Sequence, residues 1–474
     1  MLHLPEELML SIATYLDLSA IFSLRKTCKI LSHITYERTL WIGLLRHTQS
    51  RLPFPHISPD LNNISSKELE HILVYVARIE GSWLCPKGSA IVVKKAEDPR
   101  EGTDTVVLSL EFILDRYLLL VKGNGLILLW DLFDDLTEPS LSLYATHRLD
   151  QLRWISCVSS VDASETTLYL ALTNEQVHVA YILHIPLHQP KPPEGAFIRA
   201  SFTLVTQLHL SSPKIVGAID PESNSVLLTQ STVVDVMDWT NSRCVSISMQ
   251  FDDIDEMWNR TAALRLCGPY IICFRLRSIE LYPFPDGNQR IGALPILVHR
   301  FDNLTFRDLS VSAVQPVRKC QASSTTFTLS VLACDLFAGL FHYAITVTIA
   351  PVPAVSVSLI GRYPIVDNLI PYCALGPLGQ RGIWIERNRN TTRRKIVAFS
   401  TPRDAVMSTN NNDSDPGENP LQISDASGKP PSFNKRSVMS VDSYDLREDI
   451  MTCALSESRG IIAFSTRSGA IKII

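Results

Sequence analysis

From Tyr117 to Leu132 the chain runs as an apolar stretch to Val121, a polar turn Lys122-Gly123-Asn124-Gly125, and a second apolar stretch carrying Trp130. This is the pattern of a β-hairpin. Asn-Gly between two strands is the strongest short signal for one, because both central residues of such a turn take positive φ. Weaker copies follow at 168–183, 226–239, 270–284, 383–400 and 461–474. Several end on an aromatic, among them Trp130, Tyr181, Trp239 and Tyr282. Recurrence at roughly 40–60 residues suggests propeller blades, whose commonest length is about 40–45. The strands are apolar on both faces, as expected where each sheet is stacked between two others. The 394 residues from 81 to 474 divide into seven blades of about 56 residues.

The surplus over a minimal blade is visible. Residues 402–447, rich in Asn, Asp, Ser, Pro and Lys, read as a disordered insertion. Pro186–Gly195, with four prolines, reads as a connection between blades. The chain stops at Ile474 within an apolar strand, which leaves the completeness of the last blade open.

The first 80 residues have a different period. Leu4-Pro5-Glu6-Glu7 starts a helix, since Pro is tolerated in the first turn and the acids suit the positive end of the helix dipole. Leu8, Ile12, Tyr15 and Leu16 then recur on one face. Ser19 is placed to cap a second helix carrying Ile21, Phe22 and Leu24; a third stretch runs through Cys28 and Leu31, and a fourth approaches Trp41. A separate helix is expected over 65–80. It opens with the capping-box pair Ser65 and Glu68, has Leu69, Ile72, Leu73 and Val76 on one face, and ends at Gly81. It reads as a strut between two domains.

One set of spacings in this segment is specific. Leu4, Pro5, Glu7 and Leu8 are followed by Ile12, Leu16, Asp17 and Leu18, then by Leu24, Arg25, Cys28, Lys29 and Leu31, and finally by Leu40-Trp41. Residues 1–46 thereby resemble an F-box domain of three helices, with Thr27 where Val is commoner and Leu31 where Trp often follows the Cys. The resemblance implies a partner, the Skp adaptor of a Skp–cullin–F-box ubiquitin ligase, and through it a cullin. It also implies the adaptor-binding set Leu4, Pro5, Leu8, Ile12, Leu16, Ile21, Leu24, Cys28, Leu31 and Trp41. Independently, 25 of residues 1–45 are apolar, or 56% against 46% for the whole chain. A unit this small cannot bury that much apolar surface within itself, so it needs a partner or its own β-domain to pack against. Trp130-Asp131 resembles one copy of the tryptophan–aspartate repeat signature. The domain order matches the F-box proteins that end in a propeller, where the loop-bearing face of the propeller captures the substrate.

The expected architecture is thus an α+β multidomain chain: F-box at 1–46, linker at 47–80 with the helix at 65–80, and an all-β propeller of about seven blades at 81–474. Its expected function is substrate receptor of the ligase, with catalysis supplied in trans. No catalytic residue, cofactor or metal site is expected. No G-x-S-x-G, H-E-x-x-H or P-loop occurs, and the ten cysteines contain no C-x-x-C pair, so they read as reduced thiols. A formal charge of −4 gives no field for nucleic acid or anionic membranes. The apolar stretch 329–349 carries Asp335 and His342 and is rich in Val and Thr, which favours buried strands over a membrane span. The acidic N-terminus lacks the positive region of a secretory peptide, and the expected location is cytoplasmic, nuclear or both. The basic tract Arg387, Arg389, Arg393, Arg394 and Lys395 lies between two strands and reads as an exposed hairpin tip. The acidic run Asp252, Asp253, Asp255 and Glu256 lacks the rest of a calcium loop and reads as solvated. Two rival functions remain: an F-box scaffold with no substrate to degrade, and a propeller enzyme such as a glycosidase with a helical cap, which would need carboxylates converging on the central channel.

Overall fold

The computed structural model describes residues 4–49, 51–54, 64–84, 94–96, 106–135, 138–149, 153–187, 200–230, 233–248, 259–285, 294–301, 304–317, 325–349, 352–365, 367–401, 433–442 and 444–474. Four short helices come first: α1 (Glu6–Ala13), α2 (Leu18–Arg25), α3 (Lys29–Ile34) and α4 (Arg38–Gln49). The fourth stretch, expected to approach Trp41, is a full helix from Arg38, and its Leu40, Trp41, Leu44 and Leu45 fill the core. Asp17, not Ser19, caps α2: its carboxylate accepts from Ala20 N at 2.6 Å, while the Ser19 hydroxyl donates to Asp17 at 2.9 Å. These bonds to the charged form lower the Asp17 pKa.

The long helix α5 spans Ser66–Leu84. Its capping box forms as read: Ser65 N donates to Glu68 Oε2 at 2.8 Å, and Glu68 N donates to Ser65 Oγ at 3.3 Å. It does not end at Gly81. That glycine takes no positive φ, and the helix continues far enough to bury Trp83.

Among the described residues, twenty-nine strands then form seven antiparallel sheets. In chain order the blades occupy 107–148, 154–209, 215–248, 261–300, 306–363, 368–442 and 450–473. Each is a meander, with one short extra strand (Gln315–Val317) in the fifth. The hairpins legible in the sequence are the second and third strands of blades one, two, three, four, six and seven, and 329–349 lies in the same hairpin of blade five. At 122–125 only Gly125 among the turn residues has positive φ (83°), so the turn is not the expected type with two such residues.

The seventh blade has three strands at the C-terminal end of the chain, and its fourth is Lys94–Ala96, which pairs with Ile471–Ile473. The last blade is therefore completed from the start of the β-domain, and the ring closes. The sixth blade takes its outer strand, Asn434–Asp442, from within the segment expected to be disordered. The backbone edge of Arg393–Ser400, otherwise unpaired, gives this polar sequence a ladder to join. Residues 402–432, most of Pro186–Gly195 and the acidic run at 252–256 lie outside the described residues.

Blade faces pack on one another through aliphatic clusters, for example Leu119, Val121, Ile127 and Leu129 against Leu168, Leu170 and Leu172. Asp131 of the tryptophan–aspartate pair is buried and receives Arg116 Nε and Nη2 at 2.8 and 2.7 Å, tying the third strand of blade one to its first turn.

Candidate functional site

Two surfaces and the rod between them carry the geometry of interest. The first surface lies on α1 and α3. Ala13, Ile21, Leu40, Trp41, Leu44 and Leu45 make a closed core with Leu69 and Leu73 of α5. With that core filled, the apolar row along and just beyond α1 points outward: Leu4, Leu8, Ile12 and Tyr15 are 39, 51, 53 and 79% exposed. Ile30 and Tyr36 are also exposed, at 53 and 56%. A row of large apolar side chains left in water on one face marks an interaction site.

Of the expected set, Leu4, Pro5, Leu8, Ile12 and Cys28 are exposed, and Leu16, Leu24 and Leu31 are half-buried. Ile21 and Trp41 are fully buried and support that surface from beneath. The Trp41 indole donates to Thr35 O at 3.0 Å, and Arg25 lies over the Tyr36 ring at 4.2 Å. Tyr15, Ile30 and Tyr36 were outside the expected set, although Tyr15 shares the helical face of Leu8 and Ile12.

The rod is α5, and both of its ends are fixed. At the first, Arg25 makes a fork-to-fork pair with Glu70, both bonds 2.9 Å. At the second, Trp83 is buried against blades six and seven, and its indole donates to Phe399 O at 3.0 Å. Arg381 lies over the Trp83 ring at 5.4 Å, pairs with Glu80, and donates to Glu457 O at 2.7 Å. The Glu457 carboxylate in turn accepts from Leu378 N, Gln380 N and Arg381 N at 2.5, 2.7 and 2.8 Å. Burial pushes the Glu457 carboxyl up to about 7, against the pull of these three donors. None of this second anchor was readable in the sequence, because its members lie some 300 residues apart.

The second surface follows from where α5 docks. Glu80 and Trp83 meet the propeller at Arg381 and Phe399, on the side of the turns joining first to second and third to fourth strands. The opposite side carries the turns joining second to third strands and the connections between blades. It presents Phe337 and Tyr444, each 90% exposed. Arg387, Arg389 and Arg393 also lie there and are exposed, but Arg394 of the same tract is buried and Lys395 half-buried, so the tract is an exposed hairpin tip only in part. Through the ring runs a channel of about 610 Å³ lined by the first strands, with Glu111, Arg265 and Tyr372 among its walls. Arg265 is held by Ser312 O and Val311 O at 3.2 and 2.7 Å, and burial raises the Glu111 carboxyl. Two carboxylates, Glu111 and Asp220, line it together with Arg265.

Residues 1–47 match the family described as F-box-like. This segment is an F-box-like domain. Its four helices and outward apolar row are those described above, and the family match ends within α4. Among curated proteins none matches this chain. Similar solved structures include the WD40 domain of SCAP from fission yeast, 9% identical over 78% of this chain and 84% of that one, with a TM-score of 0.42. The C-terminal WD40 domain of Sif2 is 8% identical over 81% and 99%, with a TM-score of 0.44. Kuenenia stuttgartiensis hydrazine synthase is 12% identical over 80% and 99%, with a TM-score of 0.42. Among the described residues no helix is long and apolar enough to cross a membrane.

Proposed function

We propose that this chain is the substrate-recognition subunit of a Skp–cullin–F-box ubiquitin ligase, a non-catalytic adaptor. The observation that carries the reading is the row Leu4, Leu8, Ile12 and Tyr15, left outside a core that is complete without it. An F-box-like domain with such a row offers helix-in-groove docking to the Skp adaptor. The rod α5 supports the rest. Fixed at both ends, it holds the far face of the propeller at a set position relative to the adaptor, and ubiquitin transfer gains from a lysine so held.

Affinity capture of the full chain tests this. Recovery of the Skp adaptor and a cullin, lost with Leu8→Ala/Ile12→Ala, supports a ligase subunit, and short-lived proteins that co-purify separate a receptor from a scaffold. Capture of the adaptor at wild-type affinity by the double variant would sink the assignment.

A further inference from the structure

Three guanidinium groups converge on one carboxylate where blades six and seven meet, on the face away from α5. Asp449 is buried, and Arg394, also buried, pairs with its Oδ1. Arg467 Nη2 and Arg387 Nη1 stand 3.5 and 3.8 Å from its Oδ2. Arg387 and Arg394 face each other directly across paired strands, a like-charge arrangement that is costly without an anion nearby. Three guanidinium groups thus share Asp449, with the carboxylates of Asp445 and Glu448 on the neighbouring loop.

The two outer arginines are also available. At 3.5 and 3.8 Å they attract Asp449 without bonding to it, and Asp449 Oδ2 accepts no hydrogen bond among the described residues. Their side chains are 46 and 52% exposed. A guanidinium has five N–H donors in a planar fork that matches an oxyanion. The neighbouring loop is fastened alongside, Arg467 N donating to Asp449 O at 2.8 Å and Ser468 N to Arg447 O at 3.1 Å. That loop carries Tyr444 and Leu446, 90 and 53% exposed. Its acids are Asp445, 3.6 Å from Arg447 Nε, and the exposed Glu448.

We propose that Arg387 and Arg467 bind a carboxylate of an acidic segment in a protein partner, with Tyr444 and Leu446 receiving the apolar residues beside it. The proposal rests on the receptor reading and names the chemistry of its substrate. A protein segment fits better than nucleic acid, because the basic groups form one compact cluster beside a leucine, not a stripe that follows successive phosphates. A singly charged carboxylate fits better than a phosphate dianion, because Asp445 and Glu448 flank the site.

The test is fluorescence anisotropy on the full chain with a labelled peptide alternating Glu with Phe and Leu. Saturable binding that weakens as salt rises is expected. Arg387→Gln/Arg467→Gln should weaken it at least tenfold, while Arg153→Gln/Arg260→Gln, exposed arginines elsewhere on the same face, should leave it within twofold. Asp449→Asn, which removes the internal competitor, should tighten it severalfold. No saturable binding, or equal loss in both arginine pairs, overturns the proposal. So does binding only by a phosphoserine form of the peptide, or tighter arginine-dependent binding of a single-stranded oligonucleotide. Adaptor capture on the same samples keeps the two readings apart: a wild-type chain that binds peptide but captures no adaptor defeats the receptor reading alone.

Discussion

His342 sits wholly buried between blades five and six, its Nδ1 3.2 Å from Thr401 Oγ1 and its ring against Phe399 and Phe433. Burial lowers its pKa to about 3 from an ordinary 6.5. Between those values the unfolded chain binds a proton that the folded chain refuses, so the stability this residue leaves intact above pH 6.5 is lost as pH falls toward 3. The slope is at most about 1.4 kcal/mol per pH unit. His342→Leu should therefore lose less of its urea midpoint between pH 6.5 and pH 4 than the wild type does. On the F-box-like domain, exposed and buried positions should respond differently. Leu8→Ala and Ile12→Ala should each cost roughly 1–3 kcal/mol of adaptor binding with no change in melting temperature. Trp41→Ala empties a fully buried site and should cost about 3–5 kcal/mol of folding stability, read by calorimetry.

The element on which most depends is α5. Its apolar stripe was legible, and so was its start, but the sequence could not show that the stripe serves two partners. Leu69, Leu73 and Glu70 complete the F-box-like domain, while Glu80 and Trp83 belong to the propeller's contact. A fragment ending at residue 64 lacks part of that core, so it should bind less adaptor than a fragment ending at 84. For the same reason, replacing the whole helix with a flexible linker should damage adaptor binding itself. Trp83→Ala/Glu80→Gln is the sharper test of rigidity. It should leave adaptor capture intact, reduce ubiquitylation of a bound substrate, and raise amide exchange in 76–84. Unchanged ubiquitylation with faster exchange would show that the angle between the two parts is not used.

At the scale of the whole molecule, ring closure rests on three backbone positions from the N-terminal side, Lys94–Ala96. Up-and-down sheets close a propeller only when the last blade has all its strands, and an unpaired edge is the alternative. A β-domain begun at residue 97 should thus melt lower and aggregate more than one begun at 81. Deletion of 402–432 should leave cooperative unfolding in place, whereas deletion through 447 removes the outer strand of blade six and should not.

What the sequence determined was six of the seven central hairpins and the apolar row of α1. Second and third strands are buried on both sides, so they read as unbroken apolar runs with a polar turn between, and residues such as Leu118 to Val121 announce themselves. The α1 row is equally plain, since Leu8 and Ile12 recur at the helical period whether or not anything covers them. First and outer strands were illegible, because one lines the channel and the other meets solvent, and both mix polar with apolar residues, as Ser109 and Glu111 do. Tertiary structure alone decided which strand closes the ring, which face α5 occupies, and that Arg387, Arg394 and Arg467 meet at Asp449. Each of these depends on groups brought together across separate blades, and pairing at that range leaves no local period to read.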